Sequence, residues 1–337
     1  MIYPIPSGTR DVLPDETREV RAITDTLRGV FERHGYGEVY TPALEYETVL
    51  GTRADMAEAQ PAYRVFDETG AALVLRSDMT VPIARVVATR YPTSEVPLRF
   101  CYFAHCYRGV RPQRGQPREL LQAGIELIGA PAPEGTAEAL SVLCRALDAT
   151  GLKDYRVGLG DASLYPALMA GMGVADELRP GLLEALARRD FVELGERLAA
   201  AGLQGEDAEL LLSLPQRRGG AEVLAGANAQ VEEAVMGMRR VQEELEAGVA
   251  ERIIFDLGLT RSIGYYTGAV FEVYDPALGA PIGGGGRYDD LLGRFGRALP
   301  AGGFALGGDR LHIALAGEER GTGALLAQPT VAAEPST

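Results

Sequence analysis

The sequence predicts an α+β fold, a mainly antiparallel sheet with helices around it. Three observations lead there. Strand-like runs follow one another through hairpin-like turns, not through regular crossover helices. Residues from about 164 to 224 are Ala/Leu-rich, helical in period and free of strand signals, so they read as a small helical insertion. The chain has 337 residues, 46% of them hydrophobic, enough for a sizeable core and a length prior of about two domains.

The elements follow in order. In 16–34, Val20, Ile23, Leu27, Val30 and Phe31 share one helical face, with Asp15 as expected N-cap and Gly35 as expected stop. GYGEVYTPALE moves from a turn into a short strand that Pro42 breaks. Residues 72–75 and 98–104 read as strands. Residues 119–129 fit strand or helix by period alone. Thr136 is the expected cap of a helix with Leu140, Leu143, Cys144 and Leu147 on its apolar face and Gly151 as its stop. A strand is expected at 154–160. The helix at 231–247 carries Val231, Val235, Met238, Val241 and Leu245 on one stripe. Strands at 252–259 and 268–274 follow, joined through RSIGYYTG, and PIGGGG at 281–286 reads as a turn-rich hinge. The tail QPTVAAEPST has the composition of a frayed end.

Composition narrows the function. No run of 18 apolar residues exists, so no membrane span is expected, and the N-terminus lacks the pattern of a secretory signal. Three cysteines, Cys101, Cys106 and Cys144, suggest a reducing, cytoplasmic setting. The net charge of −14 argues against a broad nonspecific nucleic-acid surface. Cys101, His105 and Cys106 lack a usual zinc spacing, and neither a metal nor a cofactor is expected.

The most informative stretch is YRGVRPQRGQPRELLQAGIE, residues 107–126. Arg108, Arg111, Arg114 and Arg118 can clamp a polyphosphate or an acidic surface. By charge alone, a solvated basic hairpin is the favoured reading. Gln122 and Glu126 are four apart, which on a strand puts both on one face, able to hold an amine or imidazole. In RSIGYYTGAVFEVY, Arg261, Tyr265 and Tyr266 precede an alternating run, as residues lining a pocket at a sheet's end would. GGGGRYDDLL lacks the Gly-Lys-Ser/Thr ending of a phosphate loop, and its glycines permit close backbone approach.

Each motif is weak alone, but their order is specific. GYGEVYTPALE, LRSDMT, YRGVRPQRG ending in Glu126, RSIGYYTGAVFEVY, GGGGRYDDLL and GFALGGDR together resemble the core of histidyl-tRNA synthetases, from roughly Pro4 to Ala316. The resemblance implies a class II aminoacyl-tRNA synthetase-like antiparallel sheet flanked by helices. Its expected core is 1–163 and 225–320, with the insertion at 164–224 and a disordered tail at 321–337. It further implies a histidine-like pocket of Asp78, Thr80, Gln122, Glu126, Arg261, Tyr265 and Tyr266. Arg108, Arg111 and Arg310 would form the vestige of an ATP site.

The chain departs from the synthetase pattern mainly in ATP handling and tRNA reading, and its retained groups fall mainly on the amino-acid side. Val110 stands where the pattern has a glutamate and Gln116 where it has an arginine. Asp78 and Asp309 replace glutamates, and Ser262-Ile263-Gly264 replace Gly-Leu-Asp. After Arg310 only 27 residues remain, short of the roughly 100 of an anticodon-binding domain, so tRNA is not an expected partner. This pattern resembles the regulatory subunits of ATP phosphoribosyltransferase. That family implies a non-catalytic chain paired with a short-form catalytic subunit. The catalytic subunit joins ATP to phosphoribosyl pyrophosphate in the first step of histidine biosynthesis, under feedback by histidine. Histidine is thus a candidate ligand, and dimerisation through GYGEVYTPALE is expected. The alternative is a truncated histidyl-tRNA synthetase-like enzyme forming histidyl-adenylate.

Overall fold

The computed structural model describes residues 4–50, 62–109, 117–225, 231–260 and 264–319. Arg111, Arg114 and Arg261 lie outside this set, as do Val110, Gln116, Ser262, Ile263 and the tail from 320. Twelve strands are described: β1 (Gly37–Glu38), β2 (Leu44–Tyr46), β3 (Arg64–Phe66), β4 (Ala72–Leu75), β5 (Leu98–Tyr107), β6 (Glu119–Ile128), β7 (Arg156–Asp161), β8 (Arg218–Gly219), β9 (Ile253–Asp256), β10 (Ala269–Tyr274), β11 (Gly283–Arg287) and β12 (Ala301–Gly307). Nine form one sheet in the order β1-β5-β6-β12-β11-β10-β7-β9-β8, and β2-β4-β3 form a second. The large sheet is parallel at β1–β5 and β7–β9 and antiparallel elsewhere.

The two faces of the large sheet differ, because alternate side chains on a strand point opposite ways. Cys101 on β5 and Ala123, Ile125 and Leu127 on β6 join helices α1 (Pro14–Arg33) and Glu134–Thr150 in the main core. Tyr102, Ala104 and Cys106 point the other way, into a smaller cluster with helix Thr80–Arg90, Tyr265, Tyr288 and Leu291. The candidate site lies on that second face.

Two helices begin earlier than expected. α1 begins at Pro14, so Asp15 sits in its first turn rather than capping it. Proline's fixed φ suits a first helical turn, and the acidic pair Asp15 and Glu16 complements the dipole there. Gly35 does end the helix region with φ of 81°. The helix expected to start at Thr136 starts at Glu134, and Thr136 is buried inside its first turn. Residues 119–128 are strand.

Two expectations are overturned. The glycines of 281–286 are not a hinge: Gly283–Arg287 is a central strand, flanked by β10 and β12. A Cβ on Gly285 would lie 2.0 Å from Gly303 O, and one on Gly283 2.2 Å from Ala305 O. The glycines therefore permit a close backbone approach within the sheet rather than a bend. Nor do β9 and β10 form a hairpin, since β7 lies between them and pairs with both. Within 164–224 the chain is mostly helical, with helices at Leu164–Gly171, Arg179–Ala187, Phe191–Ala200 and Glu206–Ser213. It also contributes β8, which pairs with β9 at the sheet edge. Asp256 on β9 is fully buried and binds both Arg189 and Arg218 from this segment.

Candidate functional site

Glu126 is the centre of the site. β6 carries it into the second face, where it is 1% exposed. Thr80, at the start of helix Thr80–Arg90, donates its hydroxyl to Glu126 Oε1 at 2.7 Å. Tyr288, just past β11, donates to Oε2. Burial pushes the Glu126 carboxyl up to about 8, with the Asp78 charge adding to the rise and the two hydroxyl bonds opposing it. No guanidinium bonds to this carboxylate among the described residues. The site thus holds an acid poised to be neutral until a positively charged group arrives.

Aromatic rings wall the acid. Tyr265 is buried, tilted against Tyr266 with ring centres 4.9 Å apart, and edge-on to Tyr288 at 5.8 Å. Tyr102 lies across from Gly124. Burial raises the phenols of Tyr102, Tyr265 and Tyr288 well above their usual range, so all three stay protonated. Glycines make room for them. A Cβ on Gly124 would meet Tyr102 OH at 2.5 Å, one on Gly286 would meet Tyr266 Cδ1 at 2.8 Å, and one on Gly303 would meet Glu126 Oε2 at 2.5 Å.

Asp78 and Gln122 complete the floor. Asp78 Oδ1 accepts from Val81 N at 3.1 Å, turning the chain into the helix. Burial raises its carboxyl, and the nearby Arg108 charge lowers it. Gln122 is buried beside Cys106. Arg108 follows β5, and its backbone N–H donates to Arg118 O at 2.8 Å. Its Nε is buried with no hydrogen-bond partner among the described residues. Arg310 bonds Pro281 O at 2.6 Å through Nη1. Burial lowers Arg310, and the Arg108 charge lowers it further.

The structure therefore brings together Asp78, Thr80, Glu126, Tyr265 and Tyr266, with Gln122 on the same face of β6 as Glu126, and the Arg108 charge acts on both Asp78 and Arg310. Arg111 and Arg261 lie outside the described residues. The motif reading missed Tyr288, Tyr102 and Cys106. Tyr288 was on view in GGGGRYDDLL, and the signal was an aromatic residue directly after a glycine run that admits close neighbours. Only the pairing of strands shows that this ring reaches Glu126.

A family model described as histidyl-tRNA synthetase matches residues 8–311. The ATP phosphoribosyltransferase regulatory subunit of Symbiobacterium thermophilum is 45% identical, over 96% of this chain and 82% of that one. Its namesake from Moorella thermoacetica is 40% identical, over 92% and 81%. The chain belongs to the family of ATP phosphoribosyltransferase regulatory subunits. Solved structures agree on the fold. One described as an ATP phosphoribosyltransferase regulatory subunit/histidyl-tRNA synthetase from Bacillus halodurans superposes with a TM-score of 0.83 at 34% identity, over 94% of this chain and 84% of that one. A histidine–tRNA ligase subunit from Alicyclobacillus acidocaldarius gives 0.78 at 30% identity, over 95% and 99%. The family thus carries a class II synthetase-like fold, here a mixed sheet flanked by helices. No helix among the described residues is long and apolar enough to cross a membrane.

Proposed function

We propose that this chain is the non-catalytic regulatory subunit of a cytoplasmic ATP phosphoribosyltransferase. It pairs with a short-form catalytic subunit, is required for that subunit's activity, and transmits feedback inhibition by histidine. One observation carries the reading: buried Glu126 is held by Thr80 and Tyr288, a carboxylate suited to the amino-acid side of a synthetase-like pocket, while the ATP-gripping loop has Val110 and Gln116 in place of a glutamate and an arginine. A buried carboxylate amid phenols suits an imidazole, which can carry the missing positive charge. Histidine would bind more tightly to the inhibited state of the complex and shift its population there.

The test uses the short catalytic subunit from the same organism. Phosphoribosyl-ATP formation is measured with and without this chain, then with added histidine. Activity that needs this chain and falls with histidine supports the reading. Activity indifferent to the chain sinks it.

A second reading, a histidyl-adenylate-forming enzyme, is favoured by the retention of both Arg108 and Arg310 and by the histidyl-tRNA synthetase family model. Histidine-dependent exchange between ATP and pyrophosphate would support it.

Self-association is proposed through the segment of GYGEVYTPALE. Leu44 and Tyr46 stand 42% and 56% exposed on one face of the small sheet, beside 39% exposed Val65. An apolar sheet face of this kind suits burial against a second copy. Light scattering on the purified chain would report the dimer.

A further inference from the structure

A second cavity lies across the large sheet from Glu126. Its floor includes His105 and Leu121, a cross-strand pair on β5 and β6. They share the face of Cys101, Ala123 and Ile125, the face packed by α1. Cys106 comes next in the chain and points the opposite way, with Tyr102 and Ala104. One wall is a stripe of α1 in which Thr17, Arg21, Thr24 and Arg28 recur every three or four residues. The segment before α1 and the start of helix Gly308–Glu319 complete the lining. The volume is about 760 Å³, within the range of small-molecule sites.

Most charges in this cavity already have partners. Asp25 accepts from Arg28 at 2.6 Å, and Asp309 from Arg10 at 2.8 Å. Arg28 also donates to Glu38 and lies over the Phe103 ring. Burial pushes the Tyr107 phenol up, and Glu119 adds to the rise by its charge and a hydrogen bond. Two polar side chains remain. The Arg21 guanidinium and the His105 ring are exposed and have no hydrogen bond or ion pair among the described residues. A guanidinium is a cation with donors only, and an imidazole can donate an N–H. Half-buried Val20 and Leu121 supply apolar surface beside them. The cavity thus has spare donors, no spare acid among its charged lining, and an apolar wall.

We infer that this cavity is a second binding site, for a small organic anion with an apolar body. The acid group lies between Arg21 and His105, and the carbon skeleton covers Val20 and Leu121. The site stands independently of the histidine reading. It backs onto the Glu126 pocket, because β5 and β6 carry residues of both on their two faces.

The experiment titrates the purified full chain with anilinonaphthalene sulfonate, whose fluorescence rises on leaving water. N-phenylnaphthylamine, the same rings without the sulfonate, is the matched neutral probe. The native chain should show one saturable site that holds the sulfonate roughly tenfold more tightly than the neutral probe, the worth of one hydrogen bond to a charged group. Arg21→Ala combined with His105→Ala should erase that preference and leave the neutral probe's affinity as it was. Both side chains are exposed and unpartnered among the described residues, so the variant's thermal midpoint should stay put. Val20→Trp fills the cavity and should abolish binding of both probes. Absence of a saturable site, equal affinity for the two probes, a sulfonate preference that survives the double substitution, or binding unmoved by Val20→Trp each overturns the inference.

Discussion

Tyr288 and Glu126, 162 residues apart in the chain, are hydrogen-bonded inside the protein. The bond joins a residue just past β11 to the middle of β6, with β12 between the two strands. Tyr288→Phe leaves Glu126 with Thr80 as its one hydroxyl partner. The ring and its packing against Tyr265 stay. The loss of one bond to a charged acceptor should raise the histidine concentration for half-inhibition of the reconstituted complex roughly tenfold or more. An unchanged inhibition curve would remove Tyr288 from the pocket's working parts.

The same acid makes stability depend on pH, with a sign opposite to that of a salt-bridged carboxylate. Glu126 ionises near 4.5 in the unfolded chain and at about 8 in the fold. Between these values the folded protein holds a proton that the unfolded chain has released. Rising pH therefore favours unfolding across that window, by on the order of a few kcal/mol in total, and the effect levels off above it. Glu126→Gln removes the proton from the account. Thermal unfolding at pH 5, 7 and 9 should show the native protein losing stability relative to the variant as pH rises. Parallel pH profiles would refute this.

Glycines with the same composition-level signal differ in what they do. At Gly285 a Cβ would meet Gly303 O at 2.0 Å and Phe304 Cα at 2.8 Å, both backbone atoms in the neighbouring strand. At Gly279 a Cβ would meet nothing within 4 Å. Gly285→Ala should cost about 3 kcal/mol or prevent folding, because strands cannot separate locally without breaking their ladder. Gly279→Ala should stay within about 0.5 kcal/mol of the native protein. Urea unfolding of both variants checks the contrast.

Asp256 ties the helical segment to the sheet. It is fully buried, accepts from Arg189 at 3.0 Å and from Arg218, and also takes Gly258 N at 3.0 Å. Asp256→Ala leaves those donors without their acceptor and should destabilise the fold by about 3 kcal/mol. Trypsin cleavage after Arg189 and Arg218 should quicken in the variant. Equal cleavage rates would mean that packing, not this acid, holds the segment.

The family and the fold class were legible in the sequence. Gln122 and Glu126, four apart, had to share a face once 119–128 became a strand. The order of motifs marked the family. Local signals sufficed because each depends on residues within a few positions of one another. They misplaced the caps of two helices by two and three residues: Pro14 stands in the first turn of α1, and Pro133 is the N-cap of the helix Glu134–Thr150. They also read GGGGR as a hinge, because glycine permits both a turn and a close strand pairing. Tertiary structure alone decided between these, by setting β11 between two backbones that leave no room for side chains. It alone supplied Tyr288 and Cys106 to the site. Their roles come from strand pairing and cross-sheet neighbours, and no sequence period encodes which distant strand will lie alongside.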